Sequence, residues 1–247
     1  MRKLLSYLAA IAVILVVWEL AALMVHSPVL PTPLATFPML VRYAGALAPD
    51  FLISLYRVVI AMALGTVLAM PLGLAVGRSP RLDTLLAPLL YILYPIPKIV
   101  FLPVLLVLLG LADAPKIVLI AITIFFQVLV TVRDAAKAVP EASVLSVRSL
   151  GASRLDVFTN VVVPASLPEL FTALRISSGT AVAILFFAEA IAGSTGLGYF
   201  IVDAWGAIDY PRMFAGIISM GLLGVALYEV FDLVEHRLTR WRSSVRR

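Results

Sequence analysis

Few side chains in this chain have the type and spacing for chemistry. The two histidines, His26 and His236, stand far apart near opposite segment ends, so a His-based metal site or catalytic dyad lacks its second member. Hydrolysis inside a membrane would need Ser/His, paired Asp or a His-metal set at one depth, and His26 and His236 are expected on opposite sides of the membrane, which excludes a His-based site. Cysteine is absent, which excludes disulfides and thiolate metal ligation. No glycine is followed by lysine, so the phosphate-cradling loop G-x-x-x-x-G-K-[ST] is missing. Any use of ATP would need a second polypeptide.

Arg57, Lys98 and Glu189 are ionisable residues in or near apolar stretches. Such groups are costly in a membrane and usually face a pathway or a partner. Arg57 and Glu189 are expected towards the outer surface, either as a gate-side ion pair or as structural pairs within one subunit. Lys98 follows the double-proline break Tyr94-Pro95-Ile96-Pro97. It has two readings, an attractor for an anion or a structural cation on carbonyls that the break releases. Pro95 and Pro97 are read either as a flexing element or as a static kink.

The elements that must position these residues are membrane helices. The chain has 247 residues, 62% of them hydrophobic and 13% charged, against about 25% charged in soluble domains. Several apolar stretches reach the roughly 20 residues that span a bilayer. Six are expected: 5–25, 52–77, 85–111, 115–132, 167–191 and 213–233. All should be helical, because an unclosed chain has no other way to satisfy its backbone in lipid. The third should kink or break at the two prolines. The first follows Arg2 and Lys3 like a signal peptide, but its apolar run exceeds the about 7–15 residues of a signal core and no small-residue cleavage site follows. It is read as a retained span. The whole chain, 1–247, is read as one membrane domain.

The net charge of +5 does not indicate nucleic acid, because the charges cluster at segment ends and at the C-terminus. With a cytoplasmic N-terminus, the inside segments hold Arg2, Lys3, Arg78, Arg81, Arg133, Lys137, Arg148, Arg154, Arg237, Arg240, Arg242, Arg246 and Arg247. The outside loops hold only Arg42, Lys116 and Arg212. That asymmetry places both termini inside. The C-terminal basic run is read as a topology determinant at the anionic inner leaflet. The long external pieces are 26–50 and 192–212. In the second, Gly193, Gly196, Gly198 and Tyr199 are read as a hairpin or partial re-entrant segment, or as a flexible loop.

The inside loop 133–166 carries its own structural signals. Val139-Pro140-Glu141 resembles a helix start, with Pro at the first helical position and an acid in the first turn. Ala142, Val144, Leu145, Val147 and Leu150 follow at helical spacing as an apolar face. Gly151 suits the left-handed residue that ends a helix. Ser153-Arg154-Leu155-Asp156 reads as a capping box that begins a second helix. The result is a helix–glycine–helix elbow over about 140–163, a shape suited to a partner surface.

Leu150-Gly151-Ala152-Ser153, followed by Val161-Val162-Val163-Pro164-Ala165-Ser166-Leu167-Pro168, resembles the signature loop of binding-protein-dependent ABC importer permeases. Trp18-Glu19-Leu20, Pro31-Thr32-Pro33, Ser54-Leu55-Tyr56-Arg57-Val58, Pro71-Leu72-Gly73, Pro95-Ile96-Pro97-Lys98, Ala188-Glu189 and Gly196-Leu197-Gly198-Tyr199 look like the nitrate/sulfonate/taurine-type subgroup. One departure stands out. Where the family has Glu-Ala-Ala, this chain has Leu145-Ser146-Val147, so the signature carboxylate is missing. Glu141, one helical turn earlier, is its candidate substitute.

The resemblance implies an all-α, six-helix permease of the type I ABC importer architecture in a bacterial cytoplasmic membrane. It implies a homodimer of permease subunits, two cytoplasmic ATPase subunits that hold ATP and Mg, and an extracytoplasmic solute-binding protein. This chain would be a transport subunit, not an enzyme, with no cofactor or metal of its own. Glu141, Leu145, Leu150, Gly151, Ala152, Ser153 and Arg154 would couple it to the ATPase. The cargo would be a small organic or inorganic anion such as a sulfonate or nitrate, or else a vitamin precursor or small aromatic. A stand-alone channel or ion-coupled carrier would need several acids at mid-membrane, and only Glu189 and Glu19 come near.

Overall fold

A computed structural model of the chain describes residues 2–239; Met1 and the basic residues Arg240, Arg242, Arg246 and Arg247 of the expected C-terminal topology determinant lie outside the described residues. Among those described, every regular element is helical. Five helices are long and apolar enough to cross a membrane, and a sixth crossing arises if one sharply bent pair counts as a single span.

By compactness the chain falls into two units, the first made of residues 1–54 and 189–222 and the second of 55–188 and 223–247. In the first unit, α1 (Arg2–Val25) is followed by α2 (Pro33–Arg42). Thr32 caps α2, its side chain accepting from the Ala35 N–H, and Pro33 takes the first turn, where its missing donor costs nothing. Trp18 ties α1 down: its indole N–H donates to the Pro31 carbonyl at 2.9 Å, and its ring stacks on Phe214 with centroids 5.6 Å apart. Within 192–212, expected as a hairpin or partial re-entrant segment or as a flexible loop, part of the chain is helical. A short turn leads at once into α10 (Leu197–Gly206), and α11 (Tyr210–Leu238) follows.

The second unit is organised on two helices, α3 (Ala44–Arg78) and α6 (Asp113–Lys137). Ala61, Gly65, Ala69, Gly73 and Gly77 recur every four residues along α3. This small-residue stripe lets backbone approach backbone, which substitutes in lipid for a missing hydrophobic drive. A methyl at Gly65 would stand 2.7 Å from the Ala121 carbonyl oxygen of α6, and one at Gly73 would stand 2.9 Å from that of Leu129.

Between these helices the expected third span is split. α4 (Pro80–Leu93) and the 3₁₀-plus-α segment Lys98–Leu109, which contains α5 (Leu102–Leu109), meet at 79°. The 14 residues of α4 extend about 21 Å, short of the roughly 30 Å hydrocarbon core. Pro95 and Pro97 cause the break, since each removes a donor and disfavours helix before it. The helix that carries the fifth expected span, 167–191, begins well before that span. α8 (Arg154–Val157) passes through one π-turn into α9 (Val163–Ala192) without leaving helical geometry. In that turn the Val163 N–H reaches the Phe158 carbonyl five residues back. The widened turn sits just before Pro164, whose ring would clash with a carbonyl in tight α-geometry.

Candidate functional site

The elbow is built from α7 (Glu141–Ser149), Gly151 and α8. Pro140 serves as the N-cap in extended geometry, so Glu141 and not Pro140 opens the helix. At the other end, the Leu150 N–H donates to the Val147 carbonyl and the Gly151 N–H to that of Arg148. Gly151 itself has φ +88°, a left-handed value that costs an L-residue roughly 1–2 kcal/mol. Nothing lies within 4 Å of where its Cβ would be. Ser153 and Asp156 form a reciprocal capping box: the Asp156 N–H donates to Ser153 Oγ at 3.2 Å, and the Ser153 N–H donates to Asp156 Oδ2 at 2.9 Å. The Ser153 hydroxyl, and then its N–H, hold the Asp156 carboxyl below the usual carboxylate range.

The elbow carries a small core of its own. Val139, Val144 and Val157 are buried together, with Val147, Ala152 and Val161 packed on them. This corrects the apolar face expected from the spacing. Only Val144 and Val147 of that set point inward; Ala142, Leu145 and Leu150 are exposed. The valines at 144 and 147 meet α8, and a nine-residue helix has room for one such face. Glu141, Ser153 and Arg154 are exposed as well, while Ala152 is half-buried.

Below the elbow, hollows of about 510 and 570 Å³ both include Val139 in their lining. One is walled by Asp134, Ala165 and Glu169, the other by Gly77, Asp83 and Glu141. Beside the second hollow, charge ties α4 to α6. Asp83 pairs with Arg133 and accepts from Lys137 Nζ at 2.8 Å. Those two cations, Arg133 first, keep the Asp83 carboxyl below its ordinary range. Asp83 and Asp156 both lie outside the stretches read as spans.

At the Pro95–Pro97 break, Lys98 is buried and folds back on the helix it follows. Its ammonium donates to the Leu93 and Tyr94 carbonyls, each at 2.7 Å, and sits 4.7 Å above the Phe126 ring. These contacts are the ones expected of a structural cation on carbonyls released by the break. The device occurs twice. Lys116, also buried and also preceded by proline, donates to the Leu111 and Ala112 carbonyls at 3.3 and 3.0 Å. Lys98 thus closes the carbonyl end of α4, where the helix dipole favours a cation, whereas the carbonyls that Lys116 meets belong to the bend before α6, Ala112 being the N-cap of that helix. Pro95 and Pro97 themselves are exposed.

Arg57 is buried on α3 and pairs with Asp113 in the first turn of α6, Nη2 to Oδ1 at 2.6 Å. Asp113 was not among the residues singled out from the sequence. Its partner lies 56 positions away, and only the Asp-x-Pro-Lys helix start hints at it.

Glu189, on α9, is 0% exposed and sits in a cradle of the first unit. Ser54 Oγ lies 2.9 Å from both carboxylate oxygens, and the Gly198 N–H donates to Oε2 at 2.9 Å. The Leu197 N–H donates to Ser54 Oγ at 2.9 Å and the Gly196 N–H to Asp50 Oδ1 at 2.7 Å. The free amides at the start of α10 therefore end on side chains of α3 and α9. Gly196 is required twice over: its φ is +103°, and any Cβ would strike the Glu189 carboxylate. No group of metal-binding side chains occurs among the described residues.

Comparison with known proteins agrees with this geometry. A family model described as binding-protein-dependent transport system inner membrane component matches residues 61–240. The chain is 31% identical to the taurine transport system permease protein TauC of Escherichia coli strain K12, over 99% of this chain and 92% of that one. It is 32% identical to the putative aliphatic sulfonates transport permease protein SsuC of Bacillus subtilis strain 168, over 94% and 86%. In fold it resembles a chain of the inward-facing MetNI methionine ABC transporter, with a TM-score of 0.64 at 21% identity, covering 83% of this chain and 98% of that one.

Proposed function

The chain belongs to the family of binding-protein-dependent transport system inner membrane components, and from that premise we propose a specific role for it. It is the ABC-importer permease for a small anion of the sulfonate class, working as a pair of identical copies in a bacterial inner membrane. As a member of that family it is a multi-pass membrane transport component and not an enzyme. An ATPase subunit and a binding protein are the partners that such a permease implies.

The finer reading rests on one observation, the capped elbow with its own valine core that turns at an uncovered Gly151. ATP and Mg bind to separate ATPase subunits, which grip the two elbows from the cytoplasm. Their closure moves each elbow with α9, because α8 runs into α9 through a continuous helical turn. Nucleotide then shifts the population between two states of the assembly. The whole chain acts as one permease domain with both termini inside. The sulfonate assignment is supported by two relatives whose names carry taurine and aliphatic sulfonates.

The test is uptake by proteoliposomes holding the permease, its ATPase and its binding protein. Labelled taurine or an alkanesulfonate should accumulate only with ATP inside and binding protein outside. Accumulation of an uncharged aromatic instead, with no sulfonate uptake, would overturn the cargo assignment while leaving the permease role intact.

A further inference from the structure

The hollow of about 570 Å³ walled by Gly77, Asp83 and Glu141 lies where the end of α3, the start of α4, the end of α6 and the start of α7 meet. Its volume falls within the roughly 300–1,000 Å³ usual for small-molecule sites. The charged side chains that line it are Arg78, Asp83, Lys137 and Glu141. Two of these engage each other, because Asp83 accepts from Lys137 Nζ and also pairs with Arg133. The other two do not. Arg78 is half-buried in the last turn of α3, and Glu141 is exposed in the first turn of α7. Among the described residues, neither side chain has an ion pair or hydrogen bond, with the other or with a third group. A charge drawn partly out of water without a partner gains from an oppositely charged group brought to it.

The hollow therefore presents one unpaired cation and one unpaired anion. A simple anion would gain from Arg78 and be repelled by Glu141 and Asp83. A simple cation would gain from Glu141 and be repelled by Arg78 and Lys137. A molecule that carries both charges satisfies both walls. The guanidinium fork matches the oxygens of a carboxylate, sulfonate or phosphate. Glu141 can accept from an ammonium. So can Thr84, also in the lining, whose hydroxyl proton goes to the Pro80 carbonyl at 2.8 Å and whose lone pairs stay open.

We propose that this hollow is a binding site for a small zwitterion, with an ammonium at one end and a carboxylate, sulfonate or phosphate at the other. The acidic group sits on Arg78 and the ammonium on Glu141 and Thr84. The bound molecule bridges α3 to α7, the first helix of the elbow, and so restrains the elbow. Two sources carry this chemistry: a free amino sulfonate or amino acid, and the aminoethyl phosphate headgroup of a phospholipid. The site stands apart from the cargo assignment, since it rests on the charges of the hollow alone.

The experiment uses the full permease in nanodiscs of phosphatidylglycerol, with taurine as the probe. Isethionate, with a hydroxyl in place of the ammonium, and ethanolamine, with a hydroxyl in place of the sulfonate, are the single-charge controls. Taurine should bind at least about tenfold more tightly than either. Arg78→Gln and Glu141→Gln should each weaken taurine binding by at least about tenfold. They should also lose different distinctions. Glu141→Gln should bind taurine and isethionate alike, and Arg78→Gln should bind taurine and ethanolamine alike. Taurine should slow amide exchange over 141–149 in the wild type and in neither variant. Thermal unfolding of the variants should match the wild type, since neither side chain has a partner in the chain to lose. A second arm replaces part of the phosphatidylglycerol with phosphatidylethanolamine. A severalfold fall in taurine affinity there would make the headgroup the resident zwitterion, and an unchanged affinity would make it the free solute. Taurine bound equally well by both variants lies elsewhere and overturns the site. Isethionate or ethanolamine binding as tightly as taurine overturns the zwitterion, and taurine that does not bind in phosphatidylglycerol overturns the proposal outright. Sulfonate uptake can fail without changing any of these outcomes, so the cargo assignment is tested separately.

Discussion

Gly151 and Gly196 both take left-handed backbone next to a helix, with φ +88° and +103°, yet their surroundings are opposite. Around Gly196 the space is full: a fully buried carboxylate lies against its Cα, and the amides that follow are bound by Glu189 and Ser54. Around Gly151 the space is empty. The first turn is locked from within, so its partners are all in this chain. The second is complete in its own backbone and open outward. The open space at Gly151 is what the proposed docking turn would use.

The strongest test of this contrast is the same substitution at both sites. Gly196→Ala adds backbone strain of roughly 1–2 kcal/mol and a collision with a buried carboxylate, so a loss above about 3 kcal/mol is expected. Gly151→Ala should cost only about 1–2 kcal/mol, because the added methyl meets nothing. Thermal unfolding of each variant in detergent reads the difference, and equal losses would dissolve the distinction.

Glu189→Gln is expected to come next. The amide turns one acceptor into a donor facing Ser54 and Gly198, at a cost of about 1–3 kcal/mol. Faster amide exchange at the start of α10 is the expected signature. Unchanged protection there would show that the cradle does not hold that helix.

Lys98→Met sharpens the account in the second unit. It leaves the Leu93 and Tyr94 carbonyls short of a donor, worth about 1–3 kcal/mol. Stability should fall while the substrate concentration for half-maximal uptake stays the same. A severalfold rise in that concentration would reassign the ammonium to the anion.

The smallest effect is expected from Ser153→Ala, which removes one cap worth about 0.5–2 kcal/mol and should fray only 154–157. The same cap sets a pH dependence. Because Asp156 is held below its ordinary range, its contribution is complete above that range and is lost as the pH falls through the lowered value. The elbow should therefore loosen in acid and be indifferent to alkali, as amide exchange against pH would read.

Much of this architecture was legible in the sequence because lipid allows an open chain only helices, and because caps are local. Gly151, the Ser153–Asp156 box and the double-proline break each lie within a few residues of what they affect. The pairing of Arg57 with Asp113 and the cradle around Glu189 were not legible, since each joins positions far apart. The exposure of Leu145 and Leu150 was missed for a related reason: helical spacing shows that apolar residues share a face, but not which face finds a neighbour. The four-residue stripe from Ala61 to Gly77 was passed over, since it gains meaning only from the α6 carbonyls against it. Lys116 repeats the Pro-Lys order of Lys98, yet at a segment end it resembled an ordinary loop charge.

The central claim is that the elbow transmits the work of a separate ATPase. Its most direct test is Gly151→Val in proteoliposomes that contain the permease, its ATPase subunit and its binding protein, with ATP hydrolysis and solute uptake measured together. A β-branched residue cannot hold that backbone without strain, so uptake per ATP hydrolysed should fall by at least about tenfold while the permease remains folded in the bilayer. Uptake per ATP equal to that of the wild type would contradict the account.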